Sequence, residues 1–185
     1  SSAWIASIHR GIDVARANNL PHAIATTGST SEAALRSLVN VPDIACLDMG
    51  DFIGGMLKYL RRHSVPQLTI AGGIGKMVKF AQGAVDLHSA RSQVDFDKLA
   101  EWAARTGMGA DEVRSANTVL EVIQLADDEQ KKALGALIAG RCHEQAHQLL
   151  KNADISLAIL IIARDGEILG QDSDAGHSLA GTEAV

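Results

Sequence analysis

Apolar residues recur along this chain in two rhythms. Ile5, Ile8, Ile12 and Ala15 fall three and four residues apart, so the spacing predicts an amphipathic helix over Ala3 to Asn18. Asn18-Asn19 and Pro21 end it. His22 to Thr27 is then a short continuous apolar run closing in Thr-Thr-Gly, the pattern of a buried strand entering a tight turn. Ser29 or Ser31 caps a second helix through Leu38. After Pro42, Ile44 to Leu47 reads as a second strand, Asp48 to Asp51 as its turn and Phe52 to Arg62 as a helix. Gln67 to Ala71, Gly72-Gly73 and Ile74 to Val85 repeat the unit a third time.

Strand, Gly-containing turn and helix thus recur three times. Short strands that are apolar throughout are buried on both faces, as in a parallel α/β sheet. In such sheets ligands sit at the carboxyl ends of the strands. The turns Thr26 to Ser31, Asp48 to Asp51 and Ala71 to Lys76 are therefore expected to share one functional edge. From Asp95 the rhythm turns helical: Asp95 to Arg105, a break at Thr106 to Gly109, Ala110 to Ala126, then Asp127 to about Leu150, opened by acids that favour its positive end. Ile155 to Arg164 and Glu167 to Leu169, around Asp165-Gly166, read as a hairpin. The expected fold class is α/β with a mainly parallel sheet. Residues 1–171 are expected to form one domain and 172–185 a loose tail.

Composition narrows the partners. The 185 residues are 46% apolar and 21% charged, a globular balance. Nowhere do about 18 apolar residues run together, so no membrane span is expected. Without a leader-like start, the expected location is the cytoplasm. Ser1 opens almost directly on a helix pattern, as a piece of a longer chain would. A net charge of −5 and 3% aromatics argue against nucleic acid, which asks for a basic face and stacking platforms. Cys46 and Cys142 have no metal-ligand spacing and read as free thiols. A homo-oligomer is compatible with the sequence.

Against that acidic background, residues 69–95 concentrate glycine and positive charge. A Walker A loop would need glycine at position 70 and Ser or Thr after Lys76; the chain has Ile70 and Met77, so it is not one. A Gly-rich turn opening a helix still accepts an anion. Lys76, Lys79, His88 and Arg91, together with Lys58, Arg61 and Arg62 of the preceding helix, are expected to form one cationic cluster suited to a polycarboxylate. The competing reading is a solvated helix face. His143-Glu144-Gln145-Ala146-His147 has the spacing of a zinc hydrolase helix, with Asp154, Glu167 or His177 as conceivable third ligands. It is read instead as the exposed face of an Ala/Gln-rich helix, with no metal expected.

The segments "SIHRGIDVARAN", "ATTGSTSEAA", "DMGDFIGGMLKYL" and "GGIGKMVKFAQGAVDLHSARSQVDFDKLA", and more weakly "ILIIARDGEILG", resemble the carboxyl-terminal half of the cobalt-precorrin-5B C1-methyltransferase (CbiD) family. The central motif is Gly75-Lys76, Lys79, Gly83, His88-Ser89 and Asp95. The resemblance implies methyl transfer from S-adenosylmethionine to C1 of a cobalt corrinoid precursor, a tetrapyrrole rich in carboxylates. The family's amino-terminal half is not in this chain. On this resemblance the methyl donor is expected at Thr26, Thr27, Gly28, Ser29, Asp48 and Asp51. The corrinoid is expected at Gly72, Gly73, Gly75, Lys76, Lys79, Ser89 and Arg91, with His88 as candidate base. A non-catalytic domain binding an anionic metabolite at the same turns is the alternative, and the zinc hydrolase a more remote one.

Overall fold

The computed structural model describes residues 2–177. Five strands, β1 (His22–Thr26), β2 (Cys46–Asp48), β3 (Gln67–Gly73), β4 (Ser156–Ile162) and β5 (Ile168–Ser173), form one sheet in the order β2-β1-β3-β4-β5. The first four run parallel, and β5 pairs antiparallel on the edge. The expected hairpin exists, but its first strand also belongs to the centre of the parallel sheet. β4 pairs with β3 in register from Gln67↔Ser156 to Gly73↔Ile162. That pairing carries β3 through Gly72-Gly73, two residues past its expected end.

Alternation along the strands assigns the faces. Ala23, Ala25, Leu68, Ile70, Leu157, Ile159 and Ile161 join the larger core. Helices α1 (Ser2–Ala17), α3 (Ile53–Leu60), α4 (Ile74–Ala81) and α8 (Asp128–Leu150) contribute to it. Ile24, Ala71, Leu160 and Ile162 point the other way and pack with Leu35 of α2 (Ser29–Arg36) and with Val39. Each such Ile or Leu, fully withdrawn from water, is worth about 1.5–3 kcal/mol.

Several boundaries differ from the sequence expectation for local reasons. The second strand begins only at Cys46, because Asp43–Ala45 form a 3-10 turn. Helix α4 stops at Ala81 rather than Val85 because Gly83 adopts φ 102°, and the Gly83 and Ala84 N–H groups close the helix end on Phe80 and Lys79 carbonyls. The helix expected over Ala110 to Ala126 is two, α6 (Ala110–Arg114) and α7 (Val119–Leu125). Thr118 caps the second by accepting from the Glu121 N–H at 3.1 Å. Asp95 lies outside α5 (Phe96–Ala104) as its cap, accepting from the Lys98 N–H. Asp172 and Ser173 belong to β5, and residues to His177 are held against β4 and β3. The remainder of the expected tail, 178–185, lies outside the described residues.

Candidate functional site

From β1 the chain passes to β2 on one side of the sheet, while β3 pairs on the other. The carboxyl ends of β1 and β3 therefore flank the topological switch point, where open α/β sheets leave a crevice. A cleft of about 650 Å³ occupies it, between the turn Thr27–Ser31 and the turn Gly73–Lys76. The two turns are tied together, since the Gly73 N–H donates to Thr27 Oγ1 at 3.2 Å. Ser31 braces its own turn, accepting from the Gly28 N–H at 3.2 Å and donating to the Gly28 carbonyl at 3.0 Å. Ile162, Ala163 and Arg164, leaving β4, close one side, and Val119 and Leu120 at the start of α7 supply an apolar wall.

The cleft attracts anions. Helices α2 and α4 both begin at it, and neither cap residue, Gly28 or Gly73, offers a side chain to the free N–H groups of the first turn. Their positive dipole ends converge with Lys76, Lys79 and Arg164. Lys76 Nζ lies 2.8 Å from Asp51 Oδ1, and Lys79 Nζ donates to the Leu87 carbonyl at 3.1 Å. A Cβ built on Gly28, Gly73 or Gly75 would meet nothing within 4 Å, so these glycines leave room for a ligand to approach backbone.

Of the residues singled out from the sequence, Thr27, Gly28, Ser29, Gly73, Gly75, Lys76 and Lys79 line this cleft together. Thr26 is buried in β1, where its carbonyl accepts from the Met49 N–H. Gly72 is packed rather than open: a Cβ there would lie 2.4 Å from Met77 Sδ and 3.0 Å from Thr27 Cγ2. Asp48 and Asp51 are not among the lining residues. Asp48 Oδ1 accepts from the Gly50 N–H at 3.2 Å, and Asp51 reaches the cleft only through Lys76. His88, Ser89 and Arg91 form an exposed loop beyond α4. There His88 Nδ1 accepts from the Ala90 N–H at 3.0 Å, and Arg91 is paired with Asp86.

The single cationic cluster is corrected. Helix α3 starts at the functional edge and ends at the opposite one, so Lys58, Arg61 and Arg62 gather with Lys151 beside the amino end of β4. Arg61 there donates to the Leu149 carbonyl. In exchange the cleft gains Arg164, which the hairpin reading hid. It follows a strand whose carboxyl end lies on the same edge as the glycine turns. Val119 and Leu120 were hidden by the unbroken helix expected across Thr118, whose capping hydroxyl was the available signal.

The comparisons with known proteins bear on this arrangement. Residues 86–173 match the family described as CbiD, C-terminal domain. The cobalt-precorrin-5B C(1)-methyltransferase of Methylorubrum extorquens is 51% identical over 174 residues, covering 92% of this chain and 48% of the relative. That of Brucella ovis is 50% identical over 177 residues, covering 92% and 47%. This chain belongs with the carboxyl-terminal portion of the CbiD family. It spans about half the length of the curated relatives it matches. No solved structure matches it. The CbiD match contains Val119, Leu120 and Arg164, while the glycine turns of the cleft precede it. No described helix is long and apolar enough to cross a membrane.

Away from the cleft, the CbiD chain carries a second polar cluster at the opposite edge of the sheet. The reading of His143 and His147 as a plain exposed helix face is corrected here. Both Nε2 atoms contact Asp174 Oδ1, at 2.8 and 2.9 Å. Burial opposes ionisation of Asp174, but the Leu157 N–H and the imidazoles of His147 and His143 outweigh it and hold the carboxyl below its usual value. His177, a conceivable ligand from sequence, instead contacts Ser156 and Thr69. Both cysteines are free, and burial pushes the Cys142 thiol upward, making it inert.

Proposed function

We propose that this chain supplies the donor-binding and carboxylate-binding part of an S-adenosylmethionine-dependent cobalt-precorrin-5B C1-methyltransferase. The observation that carries the reading is the switch-point cleft. One opening joins a Thr-Gly-Ser turn, a Gly-rich turn, two helix amino ends and three cations. The relatives at about 50% identity, named for this reaction, supply the substrate class.

In this reading the donor's methionine carboxylate meets the N–H groups and hydroxyls of Thr27 to Ser31. Val119, Leu120 and Ile162 cover the less polar part of the ligand. Lys76, Lys79 and Arg164 take acetate and propionate carboxylates at the rim, Arg164 being able to do so bidentately. A flat macrocycle can then rest against the open backbone of Gly73 and Gly75. Donor and acceptor meet along one edge, so the protein's contribution is alignment, worth up to about 7–11 kcal/mol. Held at Thr27 to Ser31, the donor would supply an activated methyl group, the macrocycle would supply the electron pair for the new bond at C1, and the departing sulfur would keep its own pair as a neutral thioether. His88, in the exposed loop beyond α4, is the candidate base; with Nδ1 accepting from the Ala90 N–H the neutral ring carries its proton on Nε2, so Nδ1, once released from that N–H, is the atom that would take a proton.

The test is a pair of calorimetric titrations on the full-length enzyme, with S-adenosylhomocysteine and with the corrinoid separately. Ser31→Ala is expected to weaken the first, and Lys76→Ala and Arg164→Ala the second. Unchanged affinities in all three variants would refute the assignment. Binding without methyl transfer by the full-length protein would favour the non-catalytic metabolite-binding alternative.

A further inference from the structure

The cluster at the far edge of the sheet has the composition and geometry of a metal site. His143 and His147 are one turn apart on α8, so their imidazoles share a face. Asp174, one residue past β5, reaches between them. Its Oδ1 lies 2.8 Å from His143 Nε2, while His147 Nε2 is 2.9 and 3.0 Å from its two oxygens. One donor atom from each residue falls within 4.8 Å of the other two. We propose that His143, His147 and Asp174 bind a divalent transition metal, zinc by preference, and that the ion fastens α8 to the end of β5.

The surroundings favour an ion over a set of hydrogen bonds. Leu157 N–H donates to Asp174 Oδ2 at 2.8 Å and fixes the carboxylate. Asp172 Oδ2 stands 3.8 Å from His143 Nδ1, on the other side of the ring. A neutral His143 that donates its Nε2 proton to Asp174 turns a bare Nδ1 lone pair toward the Asp172 carboxylate. With a metal on Nε2, the proton sits on Nδ1 and faces Asp172 at 3.8 Å, the side on which a ligating histidine's supporting carboxylate stands and a few tenths of an ångström beyond hydrogen-bond length. A second proton on the ring would satisfy the same two carboxylates, and it is the competitor the experiment must exclude. Bonds of about 2.0–2.2 Å in a tetrahedral array require ligand atoms about 3.3 Å apart. The imidazoles would withdraw from Asp174 by a few tenths of an ångström, and their own nitrogens, within 4.8 Å of each other, would settle at the same spacing, both side-chain adjustments.

Two imidazoles and one carboxylate suit zinc, with cobalt as its spectroscopic substitute. Glu144, the residue that would act as base in a zinc hydrolase helix, is 63% exposed and lies 3.6 Å from Arg141. The cluster is also at the opposite edge from the glycine cleft. The site is therefore assigned a fastening role rather than a hydrolytic one.

The experiment is titration of the chelator-treated chain with Zn2+ by calorimetry and with Co2+ by visible absorption, above the pH at which imidazole is protonated. One equivalent per chain is expected, with ligand-field bands for Co2+ and a melting temperature raised by zinc through preferential binding to the folded state. His147→Gln and Asp174→Asn, each verified as folded by circular dichroism, should abolish stoichiometric binding. Asp172→Asn should weaken it about 10–100-fold through loss of ring orientation. No saturable uptake of either ion would overturn the proposal, as would uptake that survives both ligand substitutions. Stability that depends on pH in the imidazole range but not on metal would establish the proton-held cluster instead, and would equally overturn it.

Discussion

His22 shows how far one side chain can depart from its ordinary chemistry in this fold. It is 3% exposed, its Nε2 lies 2.7 Å from Thr69 Oγ1, and its Nδ1 has no partner among the described residues. Burial, then the neighbouring His177, lowers its pKa to about 4. The unfolded chain takes up that proton near pH 6.5, the folded chain only near 4. Between those values the unfolded state binds more protons, so stability is full above about pH 6.5 and declines as pH falls toward 4. The decline attributable to His22 should be at most about 2 kcal/mol between about pH 7 and about pH 5. His22→Gln keeps a partner for Thr69 and should flatten that slope in urea unfolding. An unchanged slope would show that His22 is not the group responsible. Asp51 gives a second test at this scale. If Lys76 must leave Asp51 to meet a corrinoid carboxylate, Asp51→Asn should tighten corrinoid binding several-fold and leave donor affinity alone. Weakened donor binding would instead return Asp51 to the donor-binding role expected from the sequence.

At the scale of elements, the periodic segments were legible because their chemistry is local. The three strand-turn-helix units and helix α8 followed from apolar spacing, caps and glycines within one window. What escaped depended on partners distant in sequence. The parallel pairing of β4 with β3 spans the 82 mostly helical residues between Gly73 and Ser156, and no local pattern announces it. It decides that Arg164 belongs to the cleft. The gathering of Asp174 with His143 and His147 likewise needs β5 to lie against α8. That contact rests on two glycines: a Cβ on Gly135 would fall 2.1 Å from the Leu169 carbonyl oxygen, and one on Gly170 would fall 2.2 Å from Gly135 backbone. Backbone cannot yield as a side-chain tip does. Gly135→Ala is therefore expected to destabilise by about 3 kcal/mol or more, the upper range for overpacking, despite alanine's better helix propensity. Gly75→Ala has open space around its new methyl and should leave the denaturation midpoint nearly unchanged while weakening ligand binding at the cleft. A loss in Gly135→Ala as small as that expected of Gly75→Ala would mean that the α8–β5 approach is more compliant than its geometry indicates.

For the whole molecule, the decisive feature is the separation of positive charge between the two edges of the sheet. The chain is net acidic, at −5, yet Lys76, Lys79 and Arg164 stand at the carboxyl edge and Lys58, Arg61, Arg62 and Lys151 at the other. The sequence alone joined most of these into one cluster because Lys58 to Lys79 are close along the chain; a helix running from one edge to the other places them apart. If the cleft holds a polycarboxylate, its affinity should depend on the first group and be nearly indifferent to the second, since charges separated by more than the Debye length of about 8–10 Å are screened at ordinary ionic strength. Lys76→Ala and Arg164→Ala should each weaken corrinoid binding by about 1–3 kcal/mol, the range for hydrogen bonds to charged groups. The exposed far-edge pair Lys58→Gln and Arg62→Gln should shift it less than twofold. Added salt should weaken the wild type and have a smaller effect on the two cleft variants, which have fewer ion pairs to lose. These comparisons are made by titrating the full-length enzyme with corrinoid at low and high salt. Equal losses from the two edges would mean that the protein attracts its substrate through its overall field, and the cleft would lose its claim to the carboxylates.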